Sequence, residues 1–472
     1  MESSLSLKSS LFYLISGLFF LTLSISHAQT ISGSWEGKLD LGLQQLPLIF
    51  NFEPESEVWK GTLDSPQQNA YGIPLTSVLF DGTLLSIQIT TLSATFEGTL
   101  VDNSITGQFK QSGLSLSLTL SPSKKKADNQ IKHPQTPQGP FPYEIINTSF
   151  VQKEDDLLLK GTVTKPQGEG PFASVVLISG SGPQDRNSEI FGHVPFWVIA
   201  DHLTRQGIVV LRYDDRGVGE SEGTMEGATT HDFVKDAWSA VEKLKSFSFV
   251  DKDKIGVIGH SEGGLISWMM AANNTANIAF ITALAPPVIS IDSLMSEQTY
   301  DIIMASGAEE NLAKEQQSYN FKLYQLVKES QSPVEAKEKL RRFIAEDERL
   351  VHLDSLEKAV QIDQRLEQYA QLTAPWFYNF IKTEPKDFIH QVSIPSWVAF
   401  GSKDKQVNAI SNKEALIKMG LPNINVNVYD GLNHLFQTAE TGAISEYGTN
   451  TETFNPKVLE DMSNWIKSIK PE

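Results

Sequence analysis

The carboxyl-terminal part of the chain alternates short apolar runs with longer amphipathic segments, and this rhythm constrains the fold more than any other feature. Continuous apolar runs are typical of strands that are buried on both faces of a sheet. The alternation predicts a mostly parallel, doubly wound sheet, with chemistry at the carboxyl ends of its strands. The predicted strands are residues 173–178, 208–213, 254–258, 278–284, 396–400 and 424–429, and the predicted helices are residues 196–206, 230–246, 264–274, 413–419 and 456–469.

One long stretch interrupts this alternation. Residues 292–390 show helical patterns dense in charges of both signs, without a strand-like run. A segment of this kind inside an α/β domain is expected to be a helical insertion that covers the strand ends. We therefore predict an α/β domain over residues 143–472, with a cap at about residues 290–390.

The region before this domain has the pattern of a second, all-β domain. A chain of 472 residues is too long for one ordinary domain, and residues 29–120 are rich in segments that alternate apolar and polar positions. A small antiparallel barrel or sandwich is predicted, similar to lipocalin-like barrels. Glycines within a repeated motif suggest bulges or tight bends in its strands. The repeats are Trp35-Glu36-Gly37, Trp59-Lys60-Gly61, Phe96-Glu97-Gly98 and Ile105-Thr106-Gly107.

No catalytic cluster is evident in this β-rich segment, so we interpret it as an accessory domain. Trp35 and Trp59 are either core aromatic residues or a stacking platform for a sugar or lipid. Residues 121–142 are rich in proline and include Lys124-Lys125-Lys126, which indicates an extended linker between the two domains. The lysine run is interpreted as solvated chain rather than as a binding patch.

The first 28 residues resemble a secretory signal peptide. Lys8 precedes an apolar run over residues 11–25, and Ser26-His27-Ala28 resembles a cleavage site. A membrane anchor is the competing interpretation, but the run is short for a span and no basic cluster follows it. We expect cleavage after Ala28, no stable membrane anchor afterwards, and export to the periplasm or the extracellular space.

Composition excludes several classes of chemistry. The chain has no cysteine, so disulfides, thiolate metal sites and cysteine nucleophiles are ruled out. The net charge of −18 repels phosphate backbones and argues against nucleic-acid binding. The nine histidines are scattered rather than spaced as metal ligands. The sequence therefore implies no metal and no cofactor.

A Gly-x-Ser-x-Gly pattern occurs twice, and only one copy has the context of a nucleophile. Such an elbow requires a strand directly before the serine and a helix directly after it. Ser261, in Gly259-His260-Ser261-Glu262-Gly263, follows a predicted strand and leads into a predicted helix. Ser221, in Gly219-Glu220-Ser221-Glu222-Gly223, lies in a loop, where a structural role is expected. Ser261 is the predicted nucleophile, and His260 is interpreted as packing because adjacent positions at a sharp turn point apart.

A serine nucleophile needs a histidine base and an acid that orients it, and in this fold they follow the serine in the order acid, histidine. Three histidines lie downstream. His352 falls in the charged insertion and His390 at the amino end of a strand, whereas His434 follows the last strand and is the predicted base. Asp404 follows the preceding strand and is the predicted acid. Asp430, on the loop of His434, is more typical of a turn-capping residue.

Two backbone N–H groups must face the oxygen on which charge develops. Glu262, the residue after the nucleophile, is predicted to supply one. The glycine-rich loop after the strand at residues 173–178 supplies the other, from Ser181 or, as second choice, Gly182. A phosphate-binding role for this loop is the weaker alternative, because no Lys-Ser/Thr pair follows it.

Together these residues resemble the α/β-hydrolase superfamily, and specifically EstD-like bacterial carboxylesterases with an amino-terminal β domain. The resemblance covers about residues 141–470 and implies ester hydrolysis through an acyl-enzyme, with Ser261, Asp404 and His434 in the three roles. Asp215 and Arg216 resemble scaffold residues that brace nearby loops. Asn408 departs from the pattern, because a proline is expected there. The loop that carries Asp404 is therefore expected to have a different position from that in the family.

The leading hypothesis is an exported carboxylesterase for small or medium acyl esters, with a small-molecule ester as its partner. A serine aminopeptidase-like peptidase is the nearest alternative within enzymes. An alternative of another class is a lipid- or glycan-binding protein with a residual hydrolase domain. Acyl length, oligomeric state and the purpose of the β domain stay open at this point.

Overall fold

A computed structural model describes residues 30–40, 45–55, 58–66, 70–92, 94–111, 114–123, 133–273, 278–347, 350 and 352–469. The predicted signal peptide, residues 1–28, and the lysine run at 124–126 lie outside the described residues. Within the described ranges, no helix is both long and apolar enough to cross a membrane.

The predicted all-β domain is an antiparallel sheet of nine described strands in the order β4-β3-β2-β1-β9-β8-β7-β6-β5. The sheet curls so that β3 comes close to β5. The strands are β1 (Gly33–Asp40), β2 (Gln45–Glu55), β3 (Val58–Ser65), β4 (Ala70–Pro74), β5 (Ser77–Phe80), β6 (Leu84–Ile89), β7 (Ala94–Val101), β8 (Ser104–Gln111) and β9 (Leu114–Pro122).

Alternate side chains of these strands form a separate hydrophobic core that includes Trp35, Phe50 and Phe96. Trp35 is buried, and its indole N–H donates to the carbonyl of Ile31, so it is a core residue. The repeated glycines do not interrupt the strand register, contrary to the expectation of bulges. They permit close approach instead: a Cβ on Gly107 would lie 2.0 Å from the carbonyl oxygen of Glu97 on the neighbouring strand.

The second sheet confirms the predicted α/β class. Its eight described strands run in the order β10-β11-β13-β12-β14-β15-β16-β17, parallel from β13 to β17. The first two, β10 and β11, pair in antiparallel fashion at one edge and were not predicted. The strands are β10 (Tyr143–Gln152), β11 (Leu157–Pro166), β12 (Phe172–Ile178), β13 (Val209–Tyr213), β14 (Val250–His260), β15 (Phe280–Leu284), β16 (Ser396–Gly401) and β17 (Ile424–Tyr429).

Helices pack on this sheet, and a further set of helices lies between β15 and β16. The helices are α1 (Pro195–Arg205), α2 (Thr230–Lys245), α3 (Glu262–Ala272), α4 (Ile291–Ala305), α5 (Glu310–Lys328), α6 (Pro333–Ala345), α7 (Ser355–Gln368), α8 (Pro375–Phe380), α9 (Pro385–Ile389), α10 (Ala409–Met419) and α11 (Pro456–Ser468). The segment from α4 to α9, called the cap below, forms a hydrophobic cluster of its own around Leu323, Leu340 and Phe377. Leu265 and Met269 of α3 join that cluster, so the cap rests on the helix that follows Ser261.

Candidate active site

Ser261 lies at the sharp turn between β14 and α3. Its backbone has φ 55° and ψ −119°, a region that is costly for a residue with a side chain. The turn is possible because its glycines leave room: a Cβ on Gly259 would lie 1.9 Å from the carbonyl oxygen of Gly263. A Cβ on Gly263 would in turn lie 2.2 Å from the carbonyl oxygen of Ile178 on β12. The local geometry is that of a nucleophile elbow.

Ser221 lies in different surroundings. Its hydroxyl donates to the carbonyl of Asp214 at 2.8 Å and accepts the backbone N–H of Lys160 at 2.9 Å. Both its donor and its acceptor capacity are therefore engaged in holding a loop against β11.

His434 and Asp404 form a buried pair. The Nδ1 atom of His434 lies 2.7 Å from Oδ2 of Asp404, and both residues are about 3% exposed. The other oxygen of Asp404 accepts the backbone N–H groups of Gln406 and Val407 at 2.7 and 2.9 Å. These bonds fix the carboxylate, and the carboxylate orients the imidazole through its Nδ1 atom.

The competing residues lie elsewhere. His352 and His390 are exposed, the first in a turn before α7 and the second at the end of α9. Asp430 is exposed and accepts the hydroxyl of Ser402 at 3.0 Å, as a turn residue does. Ser261 and His434 thus line one cavity and Asp404 binds His434, whereas the described lining of that cavity does not include His352, His390 or Asp430.

Asn408 occupies the position where a proline was expected. Its side chain accepts the backbone N–H groups of Ile410 and Ser411 at the start of α10, and it donates to Asp301 of the cap at 2.9 Å. The amide therefore caps the helix that a proline would otherwise begin. The loop still carries Asp404 to His434.

The loop after β12 lies beside the elbow. Ser181 and Glu262, the two predicted oxyanion donors, line the same cavity as Ser261, whereas Gly182 lines a smaller cavity behind the loop. Asp215 braces this loop by accepting the hydroxyl of Ser179 at 2.7 Å and the backbone N–H of Gln184 at 3.0 Å. Burial raises the pKa of Asp215 to about 8. Its neighbour Arg216 makes a two-pronged ion pair with Asp236 at 2.8 Å.

His260 contacts the base without competing for its role. Its Nε2 atom lies 2.9 Å from the carbonyl oxygen of His434, and the two rings are 4.7 Å apart between centroids. Burial lowers the pKa of His260 to about 4, with a smaller contribution from His434. A neutral imidazole that donates its Nε2–H to this carbonyl supports the backbone of the His434 loop.

Glu262 is the acidic residue among the described residues that line the cavity, and its carboxyl group is buried. It accepts the hydroxyl of Thr230 at 2.7 Å and the indole N–H of Trp376, from cap helix α8, at 2.9 Å. Burial raises its pKa, and hydrogen bonds from Thr230, Trp376 and Ser181 oppose that rise. Glu262 therefore links the elbow, the loop that contains Ser181, and the cap. Sequence reasoning missed this role, although Trp376 lies in an aromatic stretch that stands out in the charged cap.

The cavity at the elbow has a volume of about 260 Å³. Its described lining is mainly apolar and contains no lysine or arginine. The cap contributes Leu294, Met295, Gln298, Trp376 and Phe380, and the hydrolase domain contributes, among others, Ile190, Phe196, Leu435, Tyr447 and Phe454. In the described part of the chain, no group of three or more histidine and carboxylate side chains is arranged to hold a metal ion.

Comparison with known proteins places the chain in a family. A family model described as serine aminopeptidase, S33, matches residues 195–440, slightly more than half of the chain. Esterase EstD of Thermotoga maritima is 26% identical over 367 residues, which cover 76% of this chain and 78% of that protein. Putative hydrolase YtaP of Bacillus subtilis is 32% identical over 120 residues, which cover 22% of this chain and 40% of that protein.

Among solved structures, esterase Pf2001 of Pyrococcus furiosus is similar with a TM-score of 0.43 and 15% identity. The match covers 73% of this chain and 99% of that one.

Proposed function

This chain belongs to the serine aminopeptidase S33 family of α/β-hydrolases, and on that premise we propose that it hydrolyses carboxylic esters through Ser261, His434 and Asp404. The observation that carries the proposal is the buried Asp404–His434 pair, whose histidine lines one cavity together with the strained Ser261. The similarity to esterase EstD over most of both chains supports the ester substrate.

In the proposed reaction, His434 accepts the proton of the Ser261 hydroxyl while the serine oxygen attacks the carbonyl carbon of the ester. The backbone N–H groups of Glu262 and Ser181 stabilise the negative oxygen of the tetrahedral intermediate. The C–O bond to the alcohol then breaks, and His434 returns the proton to the departing oxygen. Water, deprotonated by His434, attacks the acyl-enzyme and releases the carboxylic acid and Ser261.

The charge of the cavity favours esters over peptides with a free amino terminus. An aminopeptidase must hold the ammonium group of its substrate, and a carboxylate with free hydrogen-bonding capacity is the usual means. Glu262 is the carboxyl group in the described lining, and Thr230, Trp376 and Ser181 already donate to it. Burial also raises the pKa of this carboxyl. A neutral ester needs no such counterion.

Size and polarity favour small or medium esters. A cavity of about 260 Å³ is at or below the ~300–1,000 Å³ range of pockets for drug-sized ligands. Its apolar walls gain free energy from burying an alkyl or aryl group.

Parallel assays on the purified protein test the substrate class. We expect turnover of p-nitrophenyl acetate and butyrate, and turnover at least about 100-fold lower, or none, for alanine and proline p-nitroanilides, because a missing counterion removes a charged contact of that size. Ser261→Ala serves as the control, and it should abolish whichever turnover the wild type shows. Turnover of the anilides without turnover of the esters would reject the esterase hypothesis in favour of the aminopeptidase hypothesis.

We also propose that the protein is exported after removal of residues 1–28. The apolar run ending in Ser26-His27-Ala28 supports this. The amino-terminal sequence of the protein recovered from its source should begin at Gln29, and an intact Met1 would contradict export by this route.

A further inference from the structure

A short tongue, residues 188–193, reaches from the cavity toward the β domain. Ile190 and His193 pair as an antiparallel bridge, with backbone hydrogen bonds of 3.0 and 2.9 Å between them. The two residues at the tip, Phe191 and Gly192, have φ of 51° and 79°. Two left-handed residues between paired positions form a type I′ turn.

Phenylalanine is a poor residue for the first position of such a turn, where asparagine, aspartate and glycine are preferred. The same chain shows the preferred solution between β7 and β8. There Asp102 and Asn103 occupy the two turn positions with φ of 45° and 65°. The backbone conformation of the tongue therefore does not favour phenylalanine at position 191. We infer that contacts of the aromatic ring compensate for the strained backbone.

The ring of Phe191 contacts both parts of the molecule. It is partly buried against the hydrophobic core of the β domain, the cluster that contains Trp35, Phe50 and Phe96. It also meets the ring of Tyr447 edge-on, with 6.5 Å between centroids. Tyr447 lines the substrate cavity, as do Ser188 and Ile190 of the tongue. One side chain, on a backbone with positive φ, thus joins the β-domain core to a cavity wall.

The base of the tongue is anchored to the same wall. His193 is buried, with Nε2 2.9 Å from the carbonyl oxygen of Tyr447 and Nδ1 2.8 Å from Oγ1 of Thr453. The ring of His133, from the segment between the two domains, lies 3.8 Å from the His193 ring between centroids. Gln135 of that segment donates to the carbonyl of Phe454 at 2.6 Å.

In the proposed reaction, the leaving group departs on the side of this wall. Leu435 directly follows His434 and lines the cavity with it. The Tyr447 hydroxyl accepts the side-chain amide of Gln406 at 3.0 Å, while the backbone N–H of Gln406 donates to Asp404 at 2.7 Å. The histidine must hand its proton to the departing alcohol, so the alcohol has to lie on the His434 side. The opposite wall comes from the cap, through Met295, Trp376 and other residues.

We propose that the β domain is a positioning element of the active site, and that Phe191 is the residue through which it holds the leaving-group wall. The domain then needs no ligand of its own: its core provides a fixed surface for the ring. Phe191 is a positioning residue, because it acts on the alcohol through Ile190 and Tyr447. This inference rests on the proposed ester hydrolysis.

Phe191→Asn and Phe191→Gly test it in the full chain, since both residues suit the type I′ turn and both remove the ring. With butyrate as the fixed acyl group, the KM for 1-naphthyl butyrate should rise about tenfold, while kcat and KM for methyl butyrate stay within about twofold, because only the bulky alcohol uses the wall. With p-nitrophenol as the fixed leaving group, the relative preference among acetate, butyrate and octanoate should not change. Phe191→Tyr keeps the ring and should retain wild-type constants.

Asp102→Gly is the matched control, since it alters the other type I′ turn without touching the tongue, and it should leave all constants unchanged. Unaltered alcohol preference in both ring-free variants, or an altered acyl preference instead, would overturn the role of Phe191 while leaving the esterase intact. A wild-type protein that hydrolyses none of these esters would reject the proposed function, and the leaving-group wall with it.

Discussion

Ser221 and Ser261 both stand at the centre of a Gly-x-Ser-x-Gly pattern, and the fold gives them opposite surroundings. The Ser221 hydroxyl is engaged as donor and acceptor, with Asp214 and Lys160 at 2.8 and 2.9 Å. Ser261 has a left-handed backbone at a strand–helix turn and lines a cavity with His434. The two serines therefore differ in their surroundings: Ser221 has hydrogen bonds that hold a loop, and Ser261 lies on a strained turn at the wall of a cavity.

Replacing Ser261 should have the largest effect on ester turnover. Ser261→Ala removes the nucleophile, and ester turnover should fall on the order of 10⁴–10⁶-fold, which leaves only the contribution of binding and of the oxyanion donors. Steady-state hydrolysis of p-nitrophenyl butyrate measures this loss. Turnover within about tenfold of the wild type would show that the elbow does not hold the catalytic serine.

The acid should have the next largest effect. Asp404→Asn keeps the size of the side chain but removes the charge that orients His434 and stabilises its imidazolium form, so kcat should fall about 10⁴-fold. Asp430→Asn, on the loop of the base, is the control, and it should retain kcat within about twofold. A larger loss for the Asp430 variant than for the Asp404 variant would exchange their roles.

His260, the neighbour of Ser261, should have a smaller effect on kcat and a distinct effect on stability. His260→Leu removes the donor to the His434 carbonyl, and the resulting displacement of the base should lower kcat by up to about 100-fold. His260→Gln retains a donor and should lower kcat less. Comparable kcat values for the two variants would contradict the support by this hydrogen bond.

The stability effect follows from the pKa of His260, which burial lowers from 6.5 to about 4. Between these values the unfolded chain binds a proton that the folded chain does not, so the free energy of unfolding falls as the pH drops from about 6.5 toward 4. His260→Gln should make that fall shallower in urea unfolding at pH 7 and pH 4.5. His193, whose pKa burial also lowers to about 4, still contributes, so the fall persists in part.

Ser221 should show the smallest effect on catalysis. Ser221→Ala leaves the N–H of Lys160 and the carbonyl of Asp214 without this partner, which should reduce the free energy of unfolding by about 1–3 kcal/mol. Ester turnover at 25 °C should stay within about threefold of the wild type. Urea unfolding measures the first quantity, and an unchanged midpoint would show that the hydroxyl does not hold the loop.

Much of the α/β core could be predicted because burial on both faces imposes a continuous apolar pattern, as in β12, β13 and β16. Strand β11, which lies between the edge strand β10 and β13, was missed because polar residues such as Thr162 and Lys165 interrupt its pattern. The elbow, Asp404 and His434 could be predicted because each lies just after a predicted strand and because the three occur in the expected order along the chain. Contacts between residues far apart in the sequence could not be predicted, because no local sequence pattern indicates them. Trp376 and Glu262 are 114 positions apart, and Phe191 packs against the β-domain core only in the folded protein.

Covalent labelling can identify directly which serine is the nucleophile. A fluorophosphonate reacts with an activated serine and stops at the stage that corresponds to the acyl-enzyme, so peptide mass spectrometry identifies the residue that carries the adduct. We expect one adduct per chain, on the peptide that contains Ser261, with loss of ester turnover in proportion to labelling. An adduct on Ser221, or full labelling elsewhere with turnover unchanged, would contradict it.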